Sequence, residues 1–397
     1  MDIVPMITNR LRNPATIGSA YYLFFWSMFA LYIPFFNVYL KELGLTGVQI
    51  GIVGALSPLM VLTVGPMVSA MADRRSQRRR FLRFSFIGLA IVLLLYRFPT
   101  SFWGIFVLVL FEATIRSPMI PIADSIIVRM ATNNGLNYGG MRMWGSLGFA
   151  VMAIMGGILW GNYGYTPMFM VTAVAIIPSL WLTNHLPETT PRPTKSRRIP
   201  RQFIHDPALL TMYIGALLVG VGLFATMIFG GIHIVQLGGT QLHVGLLFGL
   251  SALTEVPIMR SSDWLIARFR GERVLLFSYI MLGISFVAYA VAWSPWALIV
   301  GAIIKGVGYG LFFVVTVRLI DSRVPAEWVS TAQSLYAACF MGLSPLLTTA
   351  LSGYVFDKWG AGYLFGGSTA VVVIAVILLA FASHRGWFNQ TIDWETS

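Results

Sequence analysis

Charge is what this sequence has least of. Only 11% of its 397 residues are Asp, Glu, Lys or Arg, against roughly a quarter in an ordinary soluble domain. A water-soluble fold of this size could not cover itself with so few polar groups. Cysteine is almost missing as well, and the single Cys339 excludes a disulfide framework within the chain. No Cys-x-x-Cys pair occurs, and the five scattered histidines (His185, His205, His233, His243 and His384) have no zinc-ligand spacing. No metal and no cofactor is therefore expected. Nothing resembles an exposed nucleophile with its base or a nucleotide-binding loop, so the chain does not read as an enzyme.

What is present is apolar surface. Hydrophobic residues make up 57% of the chain and the mean hydropathy is +0.76. They fall in long blocks such as Gly18–Leu40 and Tyr363–Ala382, and a bilayer-crossing helix needs about 20 such residues. The blocks predict spans near 18–40, 47–71, 82–98, 102–131, 138–161, 166–185, 208–237, 242–266, 273–293, 295–320, 328–355 and 362–383. The first is too long for a signal-peptide core and reads as a retained helix. The expected class is an all-α membrane protein with twelve transmembrane helices in two pseudo-symmetric six-helix bundles. The Pro-rich, basic stretch PETTPRPTKSRRIPRQFIHD divides them. This predicts an N-terminal bundle over 1–186, a cytoplasmic linker over 187–207 and a C-terminal bundle over 208–397.

The net charge of +12 is not a nucleic-acid footprint, because its distribution is one-sided. Arg10, Arg12, the cluster from Arg74 to Arg83, Arg129, Arg192 to Arg201, Arg268, Arg270, Arg273, Arg318, Arg323 and Arg385 fall on alternate loops and helix ends. The opposite set holds only Lys41, Arg97 and Lys358. That bias predicts both termini in the cytoplasm, with the bilayer of a bacterial inner membrane as the chain's surroundings. The halves also repeat weakly: the stretch ending at Gly164 matches that ending at Gly360, and Ala72–Ser76 aligns with Ile266–Arg270 at nearly the same offset. Duplicated halves place a substrate site near the bilayer midplane.

The segment from Gly65 to Arg80, GPMVSAMADRRSQRRR, resembles the loop signature of the major facilitator superfamily. Small residues let helices approach, and Asp73 can accept charge-assisted bonds. The resemblance implies a conformational latch built from Gly65, Asp73, Arg74 and Arg78. A plain topology-setting loop is the alternative. Ser69 stands where the family has its central glycine, and Ala267 where a second acidic residue would be.

Pro121-Ile-Ala-Asp124, followed by Tyr138-Gly-Gly-Met-Arg142-Met-Trp144-Gly-Ser-Leu-Gly-Phe149, resembles helices four and five of lactose permease and its nucleoside and phenylpropionate permease relatives. Helix one is similar too, with Tyr21, Tyr22 and Trp26 ahead of Pro34-Phe35-Phe36. The likeness implies a monomeric transporter that binds a small-molecule substrate through Asp124 and Arg142. A lone charge in the bilayer core costs about 2.5–3.5 kcal/mol, so each must answer to something; a structural salt bridge is the other reading. Trp144 and Phe149 flank Arg142, and Tyr22 and Trp26 lie on helix one, all four as candidates for stacking on substrate.

Glu112 and Arg116 lie four residues apart on one helical face. At 100° per residue Glu112 and Asp124 span an arc of about 120°, which should face the cavity because charges avoid lipid. Either the site is more charged than a sugar needs, or the pair braces the bundle. In the second half, Glu255 and Lys305 match in position an acid and a lysine of the lactose permease branch. A carboxylate taken out of water binds a proton more readily, and a nearby ammonium opposes that. Making or breaking the pair would therefore let Glu255 take up and release protons, with Asp124 as a further candidate carrier; a permanently paired Glu255–Lys305 bridge is the other reading. The histidine and glutamate that carry the proton in lactose permease fall at Gly308 and Leu311, so that particular arrangement is excluded. His233 is a weaker coupling candidate.

The reading is a secondary active transporter, with proton-coupled symport of a sugar or nucleoside by alternating access. Proton-coupled uptake of an aromatic or other organic carboxylate is one alternative. A multidrug/proton antiporter is another, disfavoured because the fifth span has no Gly-Pro pair.

Overall fold

The structure is a computed structural model, and it describes residues 13–99, 101–188, 205–325 and 328–389. The linker stretch 189–204 and the terminal Arg10 and Arg12 lie outside the described residues. The helices are α1 (Pro14–Ala30), α2 (Ile33–Glu42), α3 (Gly47–Leu62), α4 (Val64–Arg74), α5 (Arg78–Leu95), α6 (Phe102–Arg116), α7 (Met119–Asn133), α8 (Tyr138–Tyr163) and α9 (Met168–Thr183). They continue as α10 (Pro207–Gln236), α11 (Gln241–Phe269), α12 (Gly271–Ala290), α13 (Pro295–Arg323), α14 (Val329–Ala337) and α15 (Ser344–His384). A π turn, Ala338–Leu343, joins α14 to α15. No strand occurs among the described residues.

Local chemistry sets the ends. Asn13, Ser101, Asn137, Asp206 and Ser294 each accept a backbone N–H of the first turn of the helix they start, which satisfies donors that have no intrahelical partner. Pro14, Pro207 and Pro295 occupy the first helical position, where a missing N–H costs nothing. Inside the spans proline acts in the opposite way. The first span is interrupted before Pro34, the second before Pro66 and the fourth at Ser117–Pro118, because the ring clashes with the carbonyl four residues back. Each interrupted pair therefore builds one span: α1 with α2, α3 with α4, α6 with α7. Gly360, at φ +85°, breaks α15 into the eleventh and twelfth spans, a conformation that suits a residue without Cβ. Among the described residues the spans are thus the expected twelve. Arg78–Leu95 opens on a basic cluster and Met168–Thr183 is only 16 residues long, so their apolar runs are the shortest.

The chain packs as two compact units. The described residues of the first fall within Met1–Leu45, Leu59–Pro193 and Thr240–Ala252. Here α1 runs along α8, and α9 packs on α1 and α5. Glycines set the α1–α8 approach: a Cβ on Gly145 would strike the Trp26 indole, and one on Gly148 would lie 2.6 Å from the Leu23 carbonyl. The start of α11 packs on α8 in the same way, with Gly157 against the Gln241 carbonyl and Gly245 against that of Ala153.

The second unit comprises Thr46–Pro58, Leu253–Ser397 and Thr194–Gly239 as far as they are described. Its main packings are α10 on α15, and α12 on α13 and α15. The start of α3 belongs to it. Gly47 and Gly353 touch backbone to backbone, and Asp357 accepts from the Gly47 and Val48 N–H groups at 2.7 and 2.9 Å. A carboxylate at a helix N-terminus satisfies both donors and the helix dipole together. At the far end Arg323 grips Asp206 through two bonds of 2.8 and 2.7 Å, and also donates to the Trp387 carbonyl.

Candidate functional site

The first unit carries two separate polar clusters. In one, the Tyr22 hydroxyl donates to Asp124 at 2.5 Å and lies 3.1 Å from the Tyr138 hydroxyl. The Arg142 guanidinium sits 5.9 Å from the ring centres of both Tyr22 and Trp26, within cation–π range. Phe149 completes the aromatic wall, its ring 6.5 Å from that of Trp26. Asp124 and Arg142 thus meet on the two faces of Tyr22, its hydroxyl and its ring. Helix geometry explains the convergence. Tyr22 and Trp26 are one turn apart on α1, the glycines of α8 admit that turn, and the Asn137 cap fixes Tyr138 at the first position of α8.

The second cluster surrounds Glu112. This buried carboxylate accepts from the Tyr32 hydroxyl at 2.9 Å and from Tyr96 at 2.8 Å, and pairs with Arg116 at 3.1 Å. Arg116 also lies over the Phe29 ring. Tyr22 and Tyr32, ten residues apart on the first span, stand about 15 Å apart along it. Glu112 and Asp124 therefore belong to separate clusters at different depths, on either side of the helix break at Ser117–Pro118.

Trp144 does not join either cluster. It is 43% exposed and forms one stripe with Leu147, Val151, Met155 and Ile158. Helix positions i and i+2 are about 200° apart, so Trp144 and Arg142 leave α8 on opposite sides.

In the second unit Glu255, on α11, and the buried Lys305, on α13, act on each other's charge. Gly310 lets the helices close: a Cβ there would stand 3.3 Å from the Glu255 carbonyl. His233 is buried near the end of α10 beside Phe365. At the basic end of the first unit, Asp73 bonds the buried Arg78, and Gly65 packs on the Ser117 carbonyl. Arg74 is exposed. Arg79 was not singled out from the sequence, yet it ties α5 to the end of α9 through Glu188 and the Asn184 and Leu186 carbonyls. Tyr32, Tyr96 and Tyr138 were missed likewise: tyrosine is common at helix ends and in aromatic runs, so nothing in the pattern marks a hydroxyl aimed at a carboxylate.

Long apolar helices with acids and bases inside them agree with the sequence of a known group. The MFS_1 like family matches residues 16–366. This chain belongs to that family of major facilitator superfamily transporters. Among relatives of MFS_1 like proteins, the maltose permease of Geobacillus stearothermophilus is 29% identical over 92% of this chain and 94% of its own length. The probable 3-phenylpropionic acid transporter of Escherichia coli strain K12 is 24% identical over 89% of this chain and 93% of its own. The crystal structure of nucleoside transporter NupG superposes with a TM-score of 0.76 at 16% identity, over 96% of this chain and all of the other. At that identity the likeness is one of fold. The expected superfamily and fold are therefore correct, and the chain is a multi-pass membrane transporter rather than an enzyme.

Proposed function

We propose that the chain is a proton-coupled symporter for a neutral, hydroxyl-rich solute, a sugar or a nucleoside, working by alternating access between halves 1–186 and 208–397. The observation that carries this reading is the Asp124–Tyr22–Tyr138–Arg142 cluster walled by Trp26 and Phe149. A carboxylate accepts from solute hydroxyls, a guanidinium donates to them, and aromatic faces receive the apolar side of a sugar or base ring. Maltose permease, a relative over nearly the whole chain, is named for a solute of this kind. Glu255 and Lys305 are assigned to proton coupling, and Gly65, Asp73 and Arg78 to a latch between conformations. The basic helix ends are assigned to the cytoplasm of a bacterial inner membrane.

Binding tests the site. Thermal shifts of the purified protein with maltose, uridine and 3-phenylpropionate should show stabilisation by one of the first two, lost in Asp124→Asn and Arg142→Ala. Stabilisation that survives both substitutions would remove the site. Stabilisation by 3-phenylpropionate alone would transfer Arg142 to recognition of a carboxylate.

A further inference from the structure

Five buried side chains of the second unit carry hydroxyls with no hydrogen-bond partner among the described residues. Tyr289 stands near the far end of α12, while the other four lie nearer the opposite helix ends: Tyr213 on α10, Tyr279 on α12, Thr316 on α13 and Tyr336 on α14. Unpartnered buried polar atoms are uncommon, and each costs about 1–3 kcal/mol. Four of them, contributed by four helices of one bundle, ask for a common ligand.

Tyr213, Tyr279 and Tyr336 share one core, and Thr316 follows Phe312 of that core by one turn on α13. The Tyr279, Tyr336 and Tyr309 rings pack on Phe312 at 6.0, 6.2 and 6.5 Å, and Tyr336 stacks on Phe340 at 5.9 Å. Tyr213 belongs to the same core, and the Tyr279 hydroxyl lies over Gly215 on its helix. They also share a depth. Measured along the helices at 1.5 Å per residue, all four sit about 9–12 Å from the end that bears Asp206 and Arg323. Lys305 lies about 27 Å from that end on α13, and Tyr309 one turn nearer to it. The π turn Ala338–Leu343 follows Tyr336 directly, and such turns shift backbone groups out of helical register at functional sites.

We propose that this layer binds a chain of water molecules, and that the chain carries protons between the Glu255–Lys305 pair and the Asp206–Arg323 end of the second unit. Water fits because each hydroxyl both donates and accepts, and buried waters make about three bonds each. A proton released by the Glu255 carboxyl enters beside Tyr309. Each oxygen accepts one proton and passes on the one it held, and a proton leaves to solvent at the Asp206–Arg323 end. The hydroxyls finish as they began. The proton step rests on Glu255 as carrier; the water site does not.

Radiolytic footprinting of the full chain in H2(18)O tests the water site, because radicals formed from bound water mark only adjacent side chains. Tyr279 and Tyr336 should take up 18O at least about tenfold faster than the equally buried Phe286. Labelling no faster than Phe286 overturns the proposal. Proteoliposomes loaded with a pH dye test the proton step, with maltose, uridine and 3-phenylpropionate as driving solutes. Tyr279→Phe combined with Tyr336→Phe should slow solute-driven proton uptake at least about tenfold, proton transfer being worth 10²-fold or more. Solute exchange across the membrane at equal pH should be unchanged. If exchange falls in parallel, or proton uptake is unaltered, the relay is wrong; each single variant carries the test should the pair not fold. Glu255→Gln distinguishes the two readings: proton uptake that persists in it removes Glu255 as carrier, whatever the tyrosine variants do.

Discussion

Two carboxylates on neighbouring helices of the first unit have opposite situations, although both looked like ligands in the sequence. Glu112 spends its oxygens on Tyr32, Tyr96 and Arg116 and is buried. Asp124 is only partly buried, and its partner Tyr22 also borders the aromatic wall. Glu112→Gln should therefore lower stability by about 1–3 kcal/mol, a range discounted because Arg116 reaches solvent. It should leave the ligand-induced thermal shift intact, whereas Asp124→Asn should abolish the shift and change the melting temperature little. The reverse pattern would make Glu112 the ligand. Charges within apolar runs were legible in the sequence because hydrocarbon makes them expensive. Their separation was not, since it depends on tyrosine hydroxyls from other helices. Trp144 illustrates a second limit: closeness to Arg142 along the chain does not put it in the same cluster when about 200° of helix lies between them.

At the scale of elements, the spans and their caps could be read directly, because length, hydropathy and residues such as Asn137 and Ser294 act locally. The breaks at Pro34, Pro66 and Pro118 had local causes too, but an average over a whole span hides them. The π turn has no comparable signal, and Phe340 within it packs on Phe312 and Tyr336. The α1–α8 approach depends on glycine at the contact itself. Gly145→Val would push into Trp26 and should cost about 1–3 kcal/mol as overpacking, together with the ligand-induced shift, since Trp26 borders Arg142. Gly161→Ala, on the same helix with nothing within 4 Å, is the control and should melt at or slightly above the native temperature. Equal losses in the two variants, compared by thermal melts, would show that helix propensity and not fit governs this face.

For the whole molecule, the all-helical membrane class was visible in the length and hydropathy of the apolar blocks, while the composition of the packed units was not. The start of α3 lies in the unit built largely from the later half of the chain, and the start of α11 in the unit built from the earlier half. Gly47 against Gly353 and Gly157 against Gln241 are the points where each stretch is held. A gene divided within the linker would encode two polypeptides, each lacking a piece that its bundle normally encloses. Produced alone, either should be degraded; produced together in one cell, they should protect each other and purify as a stoichiometric pair. An intact tagged fragment accumulating without its companion would show that the exchanged stretches are dispensable.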